Sequence, residues 1–342
     1  MNKNYLITLK PIDKFFFGGD MTFTLDGKES SFTSYIIESN YFPQQTSLLG
    51  MLRFLILRNS SYFEDGHIKK DAYPGVCSLI GEQSFRKEGT NDFGVIKSLS
   101  NCFIRKGNEN LSFKPFVDFS DRYSRINTCY YGNSAKIIPF GYDAKQGYRK
   151  TLNDGTILNN VFVEDLRLGI NREIVSGKVC DNSLYKQVNY RFADEQYRFA
   201  FYAEIDESIK LEDYSKQIVS VGADNSQFVI EIDEGKAVQE EKNDDGLFVT
   251  LQSPAFLQKE DVDIAQFAVT ELIHFNYLHT NIKTTKQYHR TSELGIDMLP
   301  NSIQLYDSGS VFYFKDAALK NEFIQKLNKY SNFTKIGYNR YK

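Results

Sequence analysis

The sequence predicts an α+β protein of two units in tandem, and three observations predict it. Short apolar strand patterns outnumber helical ones. Strands and helices follow one another in a similar order in both halves. Between the halves, residues 233–246 (DEGKAVQEEKNDDG) are highly charged and almost free of apolar side chains, which reads as a solvated linker. The chain has 342 residues, enough for one large core or two ordinary ones. The units are placed at residues 1–235 and 247–342.

Each element has a local reason. Tyr5 to Leu9 is a short apolar run, and a strand is expected over 5–10. It leads into FFFGGD, with the Gly18-Gly19 pair. Pro43 stands just ahead of Gln44, Gln45, Thr46 and Ser47, a polar helix start. Leu48, Leu49, Leu52, Leu55 and Ile56 then recur on one face, so the spacing predicts a helix over 46–58. Residues 60–160 are rich in Gly, Asn, Ser and Tyr, with short apolar runs such as Phe103-Ile104 and Ile137-Ile138. They read as a long insertion of hairpins and loops. Residues 196–206 alternate as a strand, 210–219 read as a short helix, and 226–232 as a strand. Strand, helix, strands, helix, strand is the ferredoxin-like (RRM-like) order.

Beyond the linker, 247–251 reads as a strand and 261–280 as a helix. Residues 308–314 form a strand with Gly309 at its start. Residues 316–330 are the clearest helix. Asp316 is its N-cap, and Ala317, Leu319, Phe323, Ile324 and Leu327 share a face. The tail, FTKIGYNRYK, adds a strand edge and a glycine turn. A second, shorter ferredoxin-like unit is expected here.

Composition narrows the function classes. The apolar fraction of 41% and charged fraction of 25% are ordinary for globular proteins. No apolar run reaches the ~18 residues of a spanning helix, and the N-terminus lacks a signal-peptide core. Cys77, Cys102, Cys129 and Cys180 are far apart and form no CxxC pair, which fits a reducing cytoplasm and gives no zinc site. The net charge of −3 argues against a protein that lives by gripping phosphates over its whole surface. It leaves open a local basic groove inside an assembly. Aromatic usage is the unusual number: 22 Tyr and 28 Phe with no Trp. Most serve strands and core; exposed Tyr can stack on bases.

Three places carry binding chemistry. Gly18, Gly19, Gln45 and Ser47 form a strand, glycine turn and helix start, a backbone-lined place for anions, with Arg53 further along the helix. Residues 164–187 (EDLRLGINREIVSGKVCDNSLYKQ) set Arg167, Arg172 and Lys178 among Gly169, Asn171 and Gly177, then Leu184 and Tyr185. Glycine turns flanked by guanidinium groups suit phosphates, and Tyr185 is a candidate stacking partner. The tail holds Lys335, Arg340 and Lys342 around Gly337-Tyr338-Asn339, where Asn can take the left-handed conformation.

These residues resemble a known family. Phe42, Pro43, Gln44, Ser47, Leu49, Gly50, Leu52 and Arg53 follow the aromatic-Pro-Gln-x-(Ser/Thr)-x-Leu-x-Gly-x-Leu-Arg run of the RAMP superfamily of CRISPR proteins. More narrowly, the chain looks like the third subunit of the type III-B Cmr effector complex. Arg167, Gly169, Ile170, Leu184 and Tyr185 match a second signature, and SPAF (253–256) and SGSVFYF (308–314) match two more. Two places depart. VGADNS (221–226) keeps Gly222 but lacks the family's Arg, and Asn339 replaces the second Gly of the terminal loop. The resemblance is weak between 60 and 160.

The resemblance implies a non-catalytic subunit of an antiviral ribonucleoprotein. Its RNA partner would be the 5′ repeat-derived handle of the guide RNA (crRNA). Its protein partners would be the large polymerase-like subunit and the backbone subunit, with target RNA met indirectly. It implies no cofactor, no metal and no membrane. The corresponding subunit of a type III-A complex is a close alternative. An alternative of another class is a metal-independent endoribonuclease that processes precursor crRNA. His289 with Lys286 or Tyr288 would carry it. No GxSxG, HExxH or GxxxxGK[ST] motif is present. His274 and His279 lie five apart on the expected helix and do not share a metal-binding face.

Overall fold

In the computed structural model, residues 1–19, 21–25, 32–114, 149–151, 157–158, 161–173, 176–235, 246–277 and 301–342 are described. The first elements are β1 (Asn2–Pro11), β2 (Met21–Leu25), β3 (Phe32–Glu38), α1 (Gln45–Arg58), β4 (Phe63–Glu64), β5 (His67–Ile68) and α2 (Tyr73–Ile80). Then come β6 (Ile96–Leu99), β7 (Phe103–Lys106), β8 (Glu109–Lys114), β9 (Arg149–Thr151), β10 (Ile157–Leu158), β11 (Phe162–Arg172) and β12 (Val179–Phe192). β13 (Tyr197–Asp206), a 3-10 turn (Leu211–Tyr214), β14 (Ile218–Ser220) and β15 (Gln227–Glu234) complete the first half. The second half holds β16 (Phe248–Thr250), α3 (Lys259–Val262), β17 (Phe267–Val269), β18 (Leu272–Tyr277), β19 (Asn301–Tyr306), β20 (Val311–Tyr313), α4 (Ala317–Lys329) and α5 (Ser331–Lys335).

The architecture is mixed α/β with mostly antiparallel sheets. The main sheet runs β10-β9-β8-β7-β13-β1-β15-β14, with β6 also on β13. β1 is central, paired on both edges, with Tyr5, Ile7 and Leu9 fully buried and Thr8 between them buried as well. Ile7 faces Phe201 on one side and Ile232 on the other. α1 contributes Leu48, Leu49, Leu52, Leu55 and Ile56 to the same core, as its periodicity predicts. A second sheet runs β11-β12-β3-β2, and its β12–β3 pair is parallel. The second half carries the sheet β16-β20-β17 and the antiparallel strand pair β18-β19. Tyr341 bridges antiparallel to Leu251, so the chain end lies beside β16.

Several expected elements change. Of the expected helix over 261–280, the described residues 261–277 are not helical beyond the one turn of α3; β17 and β18 follow. From Leu272 to Tyr277 burial alternates, with Phe275 and Tyr277 inward, which is a strand's period. His274 is therefore on a strand; His279 lies outside the described residues. Residues 210–219 give a 3-10 turn and then β14 instead of one helix. The stretch from 60 to 114, expected as hairpins and loops, holds the antiparallel pairs β4–β5 and β7–β8 and also α2, which packs beside α1, while β6, β7 and β8 join the main sheet. Ile137-Ile138 and most of the linker fall outside the described residues. The helix from Ala317 is present, capped by Asp316 Oδ1 accepting from Leu319 N at 3.0 Å. Phe323 and Leu327 are its buried residues, while Ala317 is exposed.

Two hydrophobic clusters form. The smaller joins Val249, Leu251, Phe312, Phe314, Phe323 and Leu327. The larger belongs to the first half but also takes in Phe256, Phe275, Leu305, Phe333, Ile336 and Tyr338. The two halves therefore share one apolar interior at their contact.

Candidate nucleic-acid interface

The sequence-predicted binding residues fall into three settings. The first is the helix start and the tail, which the fold brings together. Gln45 is 2% exposed, and its Nε2 donates to the carbonyls of Ser100 and Gly337, each at 3.1 Å. Gly337 has φ +90, and a Cβ there would lie 2.1 Å from Ser100 O, so only glycine fits this approach. Tyr338 and Asn339 are each 1% exposed. Burial pushes the Tyr338 hydroxyl's pKa up.

Asn339 does adopt the left-handed conformation, with φ 58. Its side chain accepts from Phe256 N at 2.8 Å and donates to Phe256 O at 3.1 Å and Leu327 O at 3.0 Å. Arg340 donates through Nη2 to Thr334 O at 3.1 Å. The tail is thus not a loop presented to solvent but a strap in the interior. This corrects the sequence-based placement of Gly337, Tyr338 and Asn339. The same polar atoms that suit RNA also satisfy buried backbone.

The second setting is α1 and the glycine pair. Arg53 Nη2 donates to Gly81 O at 2.9 Å and ties α1 to the end of α2. Burial pulls its guanidinium down to about 10, so it stays charged at neutral pH. Ser47 is half-buried in the first turn of α1, and no side chain caps that helix. Gly18 (φ +76) passes its carbonyl to Asn40 N at 2.6 Å. Gly19 lies against the Glu38 backbone, where a Cβ would meet the carbonyl oxygen at 1.7 Å.

The third setting is the β11–β12 hairpin. β11 is an edge strand, and Arg167 and Arg172 on it are exposed. Gly169 pairs with Tyr185, whose ring roofs it; a Cβ at 169 would lie 2.0 Å from Tyr185 Cζ. Tyr185 is half-buried and stacks on Tyr35 with ring centroids 5.6 Å apart. Asn171 lies on β11 beside Arg172. The alternate residues Leu166, Leu168 and Ile170 are exposed apolar groups, at 58%, 67% and 47%. The sequence reading passed over this stripe, although its period of two was legible. At the other end of the same strand pair, Phe162, Tyr190 and Phe192 are packed into the core aromatics. One end of the hairpin is thus anchored, and the other offers guanidinium groups beside apolar surface.

The fold is mixed α/β with mostly antiparallel sheets, and exposed Arg167, Arg172, Leu166, Leu168 and Ile170 lie together on its anchored edge hairpin. The sequence model of the family described as CRISPR-associated protein (Cas_Cmr3) matches residues 141–341, and the chain belongs to that family. Among solved structures it is similar to a chain of the type III-B Cmr-beta complex bound to cognate target RNA. That match has 15% identity and TM-score 0.52, and covers 99% of this chain and 96% of that one. A second Cmr-beta structure, bound to cognate target RNA and AMPPnP, matches at 15% identity and TM-score 0.49, covering 98% and 95%. A chain of the Csm3-Csm4 subcomplex of a type III-A complex matches at 11% identity and TM-score 0.38, covering 90% and 92%. Identity at this level speaks to fold. No curated protein sequence matches the chain. No helix among the described residues is long and apolar enough to cross a membrane.

Proposed function

We propose that this chain is a non-catalytic subunit of a type III-B RNA-guided effector complex. It binds the 5′ repeat-derived handle of the crRNA and docks the large polymerase-like subunit and the backbone subunit in the cytoplasm. The observation that carries the RNA part is the anchored hairpin with exposed Arg167 and Arg172. Guanidinium groups grip phosphates, and flanking apolar and aromatic groups meet splayed bases. Family membership supports the assembly.

The reading includes two ferredoxin-like units, 1–235 and 247–342. Strand order supports it. The first half contains β15-β1-β13-β6, and the second contains the Tyr341 edge, then β16-β20-β17. Each places the first strand of its unit between the last and the third, and the second strand outside the third, as the ferredoxin-like order requires. The test is co-expression with the neighbouring subunits, purification, and sequencing of the bound RNA. Recovery of RNA sharing one repeat-derived 5′ end is the expected result. Recovery of the other subunits without this chain, or of RNA with random 5′ ends, overturns the reading.

A further inference from the structure

β11 is an edge strand of 11 residues, and among the described residues no strand pairs with its outer side. Such an edge is a template for another strand, and proteins usually blunt it with proline, lysine, a bulge or a short span. β11 (FVEDLRLGINR) has no proline and no lysine, and the extra residues at its register shift lie on β12. Its own alternation is therefore unbroken. Glu164, Leu166, Leu168, Ile170 and Arg172 share one face, and all five are exposed. Among the described residues neither Glu164 nor Arg172 is in an ion pair.

Along that face the order is acid, apolar, apolar, apolar, base. In reverse it is base, apolar, apolar, apolar, acid, so the strand complements an antiparallel copy of itself. With Leu168 on a two-fold axis, it meets the second copy's Leu168, Leu166 meets the second copy's Ile170, and Glu164 meets the second copy's Arg172. On the opposite face Arg167 meets Gly169 and the Tyr185 ring that roofs it, a surface on which a guanidinium stacks. This register pairs even positions with even. The backbone groups that point outward on one copy therefore face those that point outward on the other. The neighbouring registers lose the match. Centring the pair on Arg167 sets that residue against its own copy and Ile170 against Glu164. Centring it on Gly169 sets Arg172 against Leu166.

We propose that the free chain forms a symmetric dimer in which β11 of two copies pair antiparallel, edge to edge, about Leu168. The two four-stranded sheets then join into one continuous sheet. The exposed edge is closed, the apolar stripes lie side by side, and two Glu164–Arg172 pairs flank them. A second copy is favoured over another occupant because the strand carries both halves of the charge pattern itself. The dimer goes beyond the effector-subunit reading and does not depend on it.

Sedimentation equilibrium of the full, RNA-free chain tests this from about 1 to about 100 μM, the range in which a small interface dissociates. A concentration-dependent dimer is expected. Glu164→Arg and Arg172→Glu each set like charges opposite one another twice per dimer, and each should weaken it by about tenfold or more. The double variant Glu164→Arg/Arg172→Glu exchanges the charges and should restore the dimer. Leu168→Lys sets two ammonium groups at the axis and should abolish it. All three positions are exposed, so the variants should fold, and circular dichroism checks this. A wild type that is monomeric throughout overturns the proposal, as do single variants that dimerise like the wild type or a double variant as weak as the singles. A monomeric chain that still brings one repeat-derived RNA out of the co-expressed complex ends the dimer and leaves the RNA reading intact. A dimeric chain that brings out none ends the RNA reading alone.

Discussion

Gln45 Nε2 donates to the carbonyl oxygen of Gly337 at 3.1 Å, across 292 positions of sequence. The start of α1 is thereby fastened to the C-terminal strap, and the same nitrogen holds Ser100 O between β6 and β7. Two residues singled out from the sequence at opposite ends of the chain are thus in direct contact. Their chemistry is spent on joining the two halves.

Gly337→Ala tests this joint. The new Cβ would lie 2.1 Å from Ser100 O and 2.6 Å from Gln45 Nε2, at a φ of +90 that L residues rarely adopt. A loss of about 2 kcal/mol or more is expected. Urea denaturation followed by circular dichroism reads it, and an unchanged midpoint refutes it.

Asn339 separates hydrogen bonding from backbone strain. Asn339→Ala removes three side-chain bonds to Phe256 and Leu327 and leaves buried backbone groups unpaired, at roughly 1–3 kcal/mol. Asn339→Gly loses the same bonds but relaxes the φ of 58. The expected order of stability is wild type, then Gly, then Ala. A Gly variant as stable as wild type would show that the bonds contribute little.

On the hairpin, Arg167→Ala and Arg172→Ala should each weaken handle binding, most at low salt. Each should also shallow the logarithmic salt slope by about 0.7, the value for one single-strand phosphate. Both residues are exposed, so melting should not move. Affinity measured across a salt series decides, and parallel slopes would remove the phosphate contact. Tyr185→Ala differs: it takes the ring off Gly169 and Tyr35, so a lower melting temperature is expected.

The chain alone should not cleave repeat RNA, with or without magnesium. His289, Lys286 and Tyr288 lie outside the described residues, so the assay is decisive where geometry is not. Site-specific cleavage lost on His289→Ala would make the chain a ribonuclease.

Acid should destabilise the protein through paired carboxylates. Backbone N–H of Ser208 holds Asp206 below its usual range, and that of Gln196 does the same for Asp194. A carboxylate with a lowered folded pKa stabilises above its unfolded value, about 3.9, and loses that contribution as pH falls through the folded value. Melting temperature should therefore fall below about pH 4. Asp206→Asn should be less stable at neutral pH, and its curve should converge on wild type in acid. Parallel curves would contradict the assignment.

Local patterns made much of the fold legible. β1, α1, β13, β15 and the helix from Ala317 follow from periodicity and capping, because each buries one face regardless of what covers it. The stretch 261–280 misled because its apolar residues fit either period over so short a span. Within 60–114 the sheet partners were not legible, because strands distant in sequence, here β13 for β6 and β7, leave no local mark.

The sequence by itself determined which side-chain and backbone types stand where: the glycine turns, the arginines of β11, the polar start of α1 and the basic tail. Only the tertiary structure decided how each is used. It turned Gln45, Tyr338 and Asn339 inward, where unpaired polar groups are costly and must be satisfied. It left Arg167 and Arg172 on an edge strand in solvent. Burial is a property of the packed whole, and it separates an amide that staples two halves of a protein from one that can meet RNA.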